Sequence, residues 1–411
     1  MKVFTSIIAI LIFINPLYAN EEESKWNCFG EFKTYLTKIH KTKEKAGLEN
    51  FEELLHYNSL QLSIDYYNNG FYFSATPYTY IYFTESGEEV KNSNFAKAFE
   101  DSDFFFRSLY MSYSIDKVTI GVGILPLSNS FPMQYTNDYY QDGEGLSIIS
   151  DLDPLALFIK YHFSDSNKLL AGIGLIDTGF LPNGKYVNEN KVEDSYGIFL
   201  IQTITNNKFK IINDFKYSSV MFNGEKTGEF YNLGTGISWD DSEYSGWTFY
   251  NTIAFSLYKN NSASLKDKIL ATNPKFTTNT VNKFSSSFVF DNHTYTGAAN
   301  LFGFRKDLDI FEIESFINFE WFHTFGDWIS GNKGAPYNSN CNQISNIRNN
   351  SYFINYGIRI SELTTLKINY TYLEFDEIKN IGAPSSTPVK ESFGPQRSSV
   401  DIFKISFSYK F

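Results

Sequence analysis

Apolar and polar residues alternate with a period of two along most of this chain. Such alternation over several residues predicts a β-strand with one apolar and one polar face. Short turn sequences such as Asn69-Gly70 and Asp116-Lys117 separate many of these runs, and they are typical of hairpins. The predicted strands cover 59–68, 71–83, 105–115, 118–124, 155–163, 168–175, 196–204, 209–217, 231–239, 247–258, 282–290, 295–304, 310–323, 352–360, 366–375 and 401–411.

Longer polar stretches separate the hairpins. Short turns at one end of the strands and long loops at the other are the pattern of a transmembrane β-barrel. The alternation of short and long connections inverts between Lys259 and Ile310, so one strand there is missed or superfluous. The sequence therefore predicts an all-β protein, a transmembrane antiparallel β-barrel of about 16 strands over 59–411, with 14 and 18 strands as alternatives.

The segment 20–58 does not follow the strand pattern. Its apolar residues fall at helical spacing amid lysines and glutamates; they are Phe32, Tyr35, Leu36, Ile39, Leu48, Phe51, Leu54 and Leu55. Spacings of three and four residues predict short amphipathic helices. We expect a short N-terminal helical segment here, either a periplasmic helix or a plug inside the barrel lumen.

The first 19 residues have the features of a secretory signal peptide. Lys2 supplies a positive charge, an apolar run follows, and Leu17-Tyr18-Ala19 ends in a small residue. The run is too short to span about 30 Å of hydrocarbon comfortably. The sequence predicts a signal peptide over 1–19, cleaved near Ala19.

The last predicted strand has a strictly alternating pattern and ends on an aromatic residue. One face carries Phe403, Ile405, Phe407, Tyr409 and Phe411, and the other carries Lys404, Ser406, Ser408 and Lys410. This strand resembles the C-terminal assembly signal of Gram-negative outer-membrane β-barrels of the porin-like family. The resemblance implies a location in the cell outer membrane, with outer-membrane lipid, lipopolysaccharide and the barrel-assembly machinery as partners.

The composition agrees with a barrel wall. Aromatic residues make up 18% of the chain, with 41 Phe and 29 Tyr, yet the mean hydropathy is only -0.28. Dispersed apolar residues suit strands that face lipid on one side only. The net charge of -11 gives no basic surface, so we expect no nucleic-acid partner. Whether the two cysteines, Cys28 and Cys341, pair stays open, and two unpaired thiols are the favoured interpretation.

Residues between the apolar positions of each strand are predicted to face the lumen, and some of them are charged. The predicted pore-lining basic residues are Lys160, Lys210, Lys216, Lys283, Arg359, Lys367, Lys404 and Lys410, and the acidic ones are Asp65, Asp214, Glu312, Glu314 and Glu320. Acidic residues on one strand and basic residues on the next three would produce an electric field across a pore, and this field would sort the ions that pass through it. Ordinary cross-strand ion pairs are the alternative interpretation.

A barrel of about 16 strands is too wide for its side chains to fill, so it leaves an aqueous passage. The sequence 135–145, in the long connection after an early hairpin, resembles the pore-narrowing loop of general porins. We therefore expect an outer-membrane porin, a water-filled channel for passive diffusion of small hydrophilic solutes and ions. The alternatives are a hydrophobic-substrate transporter resembling the fatty-acid channel family and a barrel-anchored surface adhesin.

Catalytic chemistry is not indicated. The five histidines show neither the His-Ser arrangement of a lipase nor the spacing of zinc ligands. We expect no catalytic residues, no metal site, no cofactor and no enzymatic activity. A homotrimer is expected by analogy with porins only.

Overall fold

The computed structural model describes residues 24–43, 51–83, 104–127, 146, 148–149, 154–176, 195–222, 225–260, 294–310, 313–326, 328, 348–377 and 398–411. These residues form 16 strands that close into one antiparallel barrel. The strands are β1 (Lys25–Lys43), β2 (Phe51–Asn68), β3 (Phe71–Phe83), β4 (Phe104–Ile115), β5 (Val118–Ile124), β6 (Leu155–Ser164), β7 (Asn167–Ile176), β8 (Ser195–Asn206), β9 (Phe209–Phe222), β10 (Glu225–Asp241), β11 (Trp247–Asn260), β12 (Thr294–Ile310), β13 (Ile313–Gly326), β14 (Arg348–Ser361), β15 (Thr364–Glu377) and β16 (Ser398–Lys410).

Each strand pairs with its neighbour in sequence, and β1 pairs with β16 to close the ring. At this seam Gly30 N donates to Phe411 O at 2.8 Å, and Phe411 N donates to Gly30 O at 2.9 Å. The Phe411 ring lies over Gly30, where a Cβ would stand 2.4 Å from the ring. Glycine is therefore the residue that allows the two strands to meet under that ring.

The tight hairpins confirm the predicted turns. Asn69, Asp116 and Asn207 have positive φ angles of 45°, 50° and 47°. Two-residue hairpins of this kind require the left-handed region, which Asn and Asp tolerate better than other side chains. These turns lie at the same end of the barrel as Phe411, the end that faces the periplasm in outer-membrane barrels.

The predicted count of 16 strands is confirmed, but β1 was not among the predicted strands. The predicted N-terminal helical segment is wrong over 25–43 and 51–58, which belong to β1 and β2. Its helical spacing arose because β1 carries apolar side chains on both faces: Phe32 and Leu36 are exposed, whereas Tyr35 is buried. Pairing with β16 on one side and β2 on the other supplies the backbone hydrogen bonds of this strand.

The predicted strand 282–290 lies outside the described residues. In the barrel β11 pairs directly with β12, from Trp247 opposite Lys306 to Lys259 opposite Thr294. The segment 261–293 therefore connects two neighbouring strands, and the apparent inversion of short and long connections disappears. No helix in the described ranges is long and apolar enough to cross a membrane.

Candidate functional site: the inner wall and the loop between β5 and β6

The two faces of the barrel differ in chemistry. Side chains such as Leu157, Ile159 and Phe403 on the outer face are exposed. On the inner face many polar side chains are buried; they include Ser63, Ser108, Asp214, Lys216, Asn232, Thr252, Asn318 and Glu320. Successive residues of a strand point to opposite faces. The strand registers therefore show which described strand residues face inward and which face outward.

These registers place the described predicted charges on the inner face. They are Asp65, Lys160, Lys210, Asp214, Lys216, Glu314, Glu320, Arg359, Lys367, Lys404 and Lys410. Lys283 and Glu312 lie outside the described residues, as do Cys341 and the segment 135–145. Cys28 is exposed and free. The role of the charges in lining a pore stays a prediction.

The connection between β5 and β6, residues 125–154, enters the barrel in its described parts, and we call it the inner loop. Leu127, Leu146, Ile148 and Ile149 are fully buried. Both arms of this loop bind β9: Lys216 Nζ donates to Leu127 O at 3.2 Å, and Leu146 N donates to Asp214 Oδ2 at 2.8 Å. The described ends of the inner loop are thus fixed to one side of the lumen.

Asp214 and Lys216 also bind each other. Lys216 Nζ lies 3.2 Å from Asp214 Oδ2, and the side chains are 4% and 0% exposed. A buried ion pair is stable only when further hydrogen bonds satisfy both groups. The backbone of the inner loop supplies one such bond to each group. From β10, Asn232 Nδ2 also donates to Ile149 O of the loop at 2.9 Å.

An apolar area of the inner wall supports the same loop. It consists of Ala156, Phe158, Leu170, Phe199, Ile201 and Ile212, all buried. These six residues form one hydrophobic cluster with the leucines and isoleucines of the inner loop. Phe158 and Phe199 lie flat across glycines of the neighbouring strands, Gly121 and Gly172. A uniformly polar inner face was expected from the sequence, and this area departs from it because the loop covers it.

A second polar group lies within the wall formed by β11–β14. Tyr250 Oη donates to Glu320, Asn318 Nδ2 donates to Tyr250 Oη at 3.1 Å, and Asn355 Nδ2 donates to Asn318 Oδ1 at 2.7 Å. Glu320 is fully buried. Protein therefore encloses Glu320, as it encloses Asp214 and Lys216, so these three charges belong to internal networks in this structure.

More accessible charges cluster on β13–β16 and β1. Arg359 binds Glu314 across β13 and β14, and the two side chains are 51% and 69% exposed. Lys404 Nζ lies 4.7 Å from the centre of the Tyr35 ring. On β1 Lys33 Nζ lies 2.9 Å from Glu31 Oε2. The predicted acidic and basic strips are thus neighbours along the wall, and part of their charge is already paired.

A closed barrel of 16 strands with an apolar outer face and polar groups on its inner face is a porin-like outer-membrane β-barrel. Solved structures have the same fold. The fold resembles the outer-membrane expressed OmpT of Vibrio cholerae, with 10% identity, 96% of this chain and 99% of that chain covered, and a TM-score of 0.50.

Two further solved structures share the fold. The outer membrane channel DcaP of Acinetobacter baumannii is 11% identical, with 96% and 99% of the two chains covered and a TM-score of 0.51. OprB of Pseudomonas putida is 8% identical, with 94% of each chain covered and a TM-score of 0.52. No protein-family model matches the chain, and no curated protein is similar to it. At these identities the likeness concerns the fold alone.

Proposed function

We propose that this barrel is a porin: a water-filled channel through which small hydrophilic solutes and ions diffuse passively across the outer membrane. The observation that carries the proposal is the attachment of the inner loop to the wall. Asp214, Lys216 and Asn232 hold its described ends to β9 and β10. Loop residues held against the inner wall in this way would narrow a wide barrel.

The opposite wall supports the same proposal. In a ring of 16 strands β1 stands across from β9. The strands around β1 carry inward charges, among them Lys33, Lys367 and Lys404. Charged side chains on a wall across from the loop attachment suit a hydrated passage, since the lumen of a wide outer-membrane barrel is polar.

These inward charges give the lumen a means to sort ions. The inward charges of β13–β16 and β1 that lie outside the enclosed Glu320 network are more often basic than acidic; they are Lys33, Arg359, Lys367, Lys404 and Lys410 with Glu31 and Glu314. A basic wall attracts anions into a pore, and the low dielectric constant of the surrounding protein and lipid strengthens this attraction. Acidic residues outnumber basic ones in the long connections 84–103 and 126–153. Their negative charge would oppose the attraction of anions, so we propose weak selectivity.

The alternative of a hydrophobic-substrate transporter needs an open apolar path. Inward apolar side chains such as Phe199 and Ile212 do exist, but they are buried under the inner loop. Because these side chains pack against the inner loop, they support the loop and do not form an open apolar path. The homotrimer, the contacts with lipopolysaccharide and the assembly machinery, and the absence of enzymatic activity stay predictions.

Conductance of the refolded protein in planar bilayers tests the proposed function. Stable, ohmic single-channel steps are expected, with a conductance that rises with salt concentration. Correctly folded protein that inserts but conducts no ions would overturn the proposal.

A further inference from the structure

Asp65 is an inward carboxylate near the periplasmic end of β2 that lacks a basic partner among the described residues. It accepts a hydrogen bond from Tyr72 Oη at 3.0 Å and forms no ion pair with a described Lys or Arg. Other inward carboxylates near this end do have such partners; the pairs are Glu31 with Lys33, Asp307 with Arg305, and Glu314 with Arg359. Asp65 therefore presents to the lumen a charge that no ion pair within this part of the chain neutralises.

Aromatic side chains surround Asp65 on the inner face. Asn27 on β1 lies directly opposite Asp65, so Phe29 is the diagonal neighbour of Asp65. Tyr67 is the next inward residue of β2, and it pairs with Tyr72 on β3. Diagonal neighbours on one face of a sheet are about 7–8 Å apart, which is within reach of aromatic side chains. We call Asp65, Phe29, Tyr67 and Tyr72 the aromatic site.

Two rings of the aromatic site are open to solvent. Phe29 and Tyr67 are 48% and 50% exposed. Tyr72 is half-buried, and the Tyr110 ring lies beside it with 5.7 Å between the ring centres. Its hydrogen bond to Asp65 holds the carboxylate in place. Because aromatic surface in water is stabilised when a solute covers it, the exposed rings favour binding of a solute with apolar groups.

The wall around the aromatic site is otherwise uncharged. Asp65 is the one charged residue among the described inward positions of 59–67, 72–76, 108–114 and 119–123. On β1, Lys25 lies opposite Tyr67, but it is exposed at the start of the strand, where solvent screens its charge. A cation that approaches Asp65 from the lumen therefore meets little repulsion from β2–β5.

We propose that the aromatic site binds small organic ammonium ions at the periplasmic mouth of the lumen. The Asp65 carboxylate attracts the positive charge. The negative faces of aromatic rings attract it further when it lies within about 6 Å of a ring centre. Quaternary ammonium ions suit the site best, because their methyl groups also cover the exposed surface of Phe29 and Tyr67.

Divalent metal ions fit this site less well. Ca²⁺ takes about 6–8 oxygen ligands, whereas Asp65 is the one carboxylate of the site. The described residues contain no group of three His, Cys, Asp or Glu side chains that could hold a metal ion. A single carboxylate beside hydrocarbon rings favours a weakly hydrated organic cation.

Binding of choline to the refolded barrel tests this inference. Saturation-transfer NMR on the trimethylammonium protons measures the affinity in maltoside micelles at low ionic strength, with protein-free micelles as the blank. Asp65→Asn is expected to weaken binding by roughly fivefold or more. Glu314→Gln is the matched control, because it removes an inward carboxylate at the same end of the barrel and leaves the aromatic site intact. The control should bind choline as tightly as the unsubstituted protein.

Two further comparisons separate attraction by the rings from simple charge pairing or apolar contact. The uncharged isostere of choline, with a tert-butyl group in place of trimethylammonium, should bind several-fold more weakly. Phe29→Leu should weaken choline binding and Phe29→Trp should retain it, since indole is the best aromatic partner for a cation. Each variant is first shown to be folded by its heat-modifiable migration in gel electrophoresis.

Three results would count against the proposal. Equal affinity for choline and its isostere, or undiminished binding by Asp65→Asn, would overturn it. Equal binding by Phe29→Leu and Phe29→Trp would overturn the part assigned to the rings. The site opens at the periplasmic end, so choline reaches it without crossing the barrel. Binding by a barrel that carries no current would uphold this inference and overturn only the proposed channel.

Discussion

Asp214 and Lys216 form a buried ion pair on the inner wall, and each also holds one arm of the inner loop. Two neighbouring inward positions of β9 thus bind parts of the chain that are distant in sequence. The same two side chains therefore stabilise the inner wall and hold the inner loop in place. Disrupting it should change both stability and conductance, which few other inward residues would do.

Asp214→Asn should weaken the hydrogen bond from Leu146 N, because an amide oxygen is a poorer acceptor than a carboxylate, and it removes the negative charge that pairs with buried Lys216. Removing one partner of a buried pair costs about 3–5 kcal/mol, so we expect a lower free energy of unfolding in urea, measured in lipid vesicles. Single-channel recordings should show a larger or noisier conductance. Asp65→Asn is the control, because Asp65 is an inward carboxylate on the opposite side of the barrel, where it accepts a hydrogen bond from Tyr72 Oη at 3.0 Å. Equal effects of the two substitutions would contradict a special role of Asp214.

The ion pair between Glu314 and Arg359 should behave in the opposite way. Both side chains are more than half exposed, and accessible pairs contribute about 0–1 kcal/mol. Arg359→Ala should therefore leave the urea unfolding curve almost unchanged, in the same assay that detects Asp214→Asn. A loss comparable to that of Asp214→Asn would show that the pair is enclosed in the membrane-embedded protein.

Replacing Lys367, Lys404 and Lys410 together by Glu should shift the reversal potential toward cation preference in a salt gradient. The reason is that these three residues lie on inward positions of β15 and β16. Lys306→Glu serves as the control, since Lys306 lies on the outer face beside Trp247, with Nζ 5.0 Å from the ring centre. An unchanged reversal potential in the triple variant would refute the pore-lining assignment.

Gly357→Ala tests the packing of aromatic rings on inward glycines. A Cβ at Gly357 would lie 2.3 Å from the Phe316 ring, and overpacking of this kind costs about 1–3 kcal/mol. In a chain that already carries Phe316→Ala the same glycine substitution should cost almost nothing. The four unfolding free energies form a double-mutant cycle, and additive effects would contradict the predicted contact.

The hairpins could be predicted because their signals are local, whereas the strand number of 16 was reached without β1, whose pattern resembled a helix. Asn69-Gly70 and Asp116-Lys117 fix tight turns through backbone geometry alone, whatever surrounds them. The same is true of β16, whose aromatic residues all face outward; Phe403 and Tyr409 are 45% and 41% exposed. In such strands the alternation of apolar and polar residues is enough to predict both the strand and the face that each side chain occupies.

The site could be predicted only in part, because its partners are far apart in sequence. Asp214 and Lys216 were recognised as inward charges, but their hydrogen-bond partners are backbone atoms 68 and 89 positions away. In β8 the apolar residues Phe199 and Ile201 interrupt the polar inner face. Nothing within that strand indicates that a loop covers them. In β1 the inward Tyr35 interrupted the alternation and made a strand resemble a helix.

The seam between Gly30 and Phe411 also constrains the order of assembly. Among the strand pairs of the barrel, β1 and β16 have the greatest separation in sequence. Closing so long a loop costs more chain entropy than any local hairpin, so ring closure should come late. Until then β1 and β16 are open edges that can pair with foreign strands, and the unfinished barrel should depend on a chaperoned route through the periplasm.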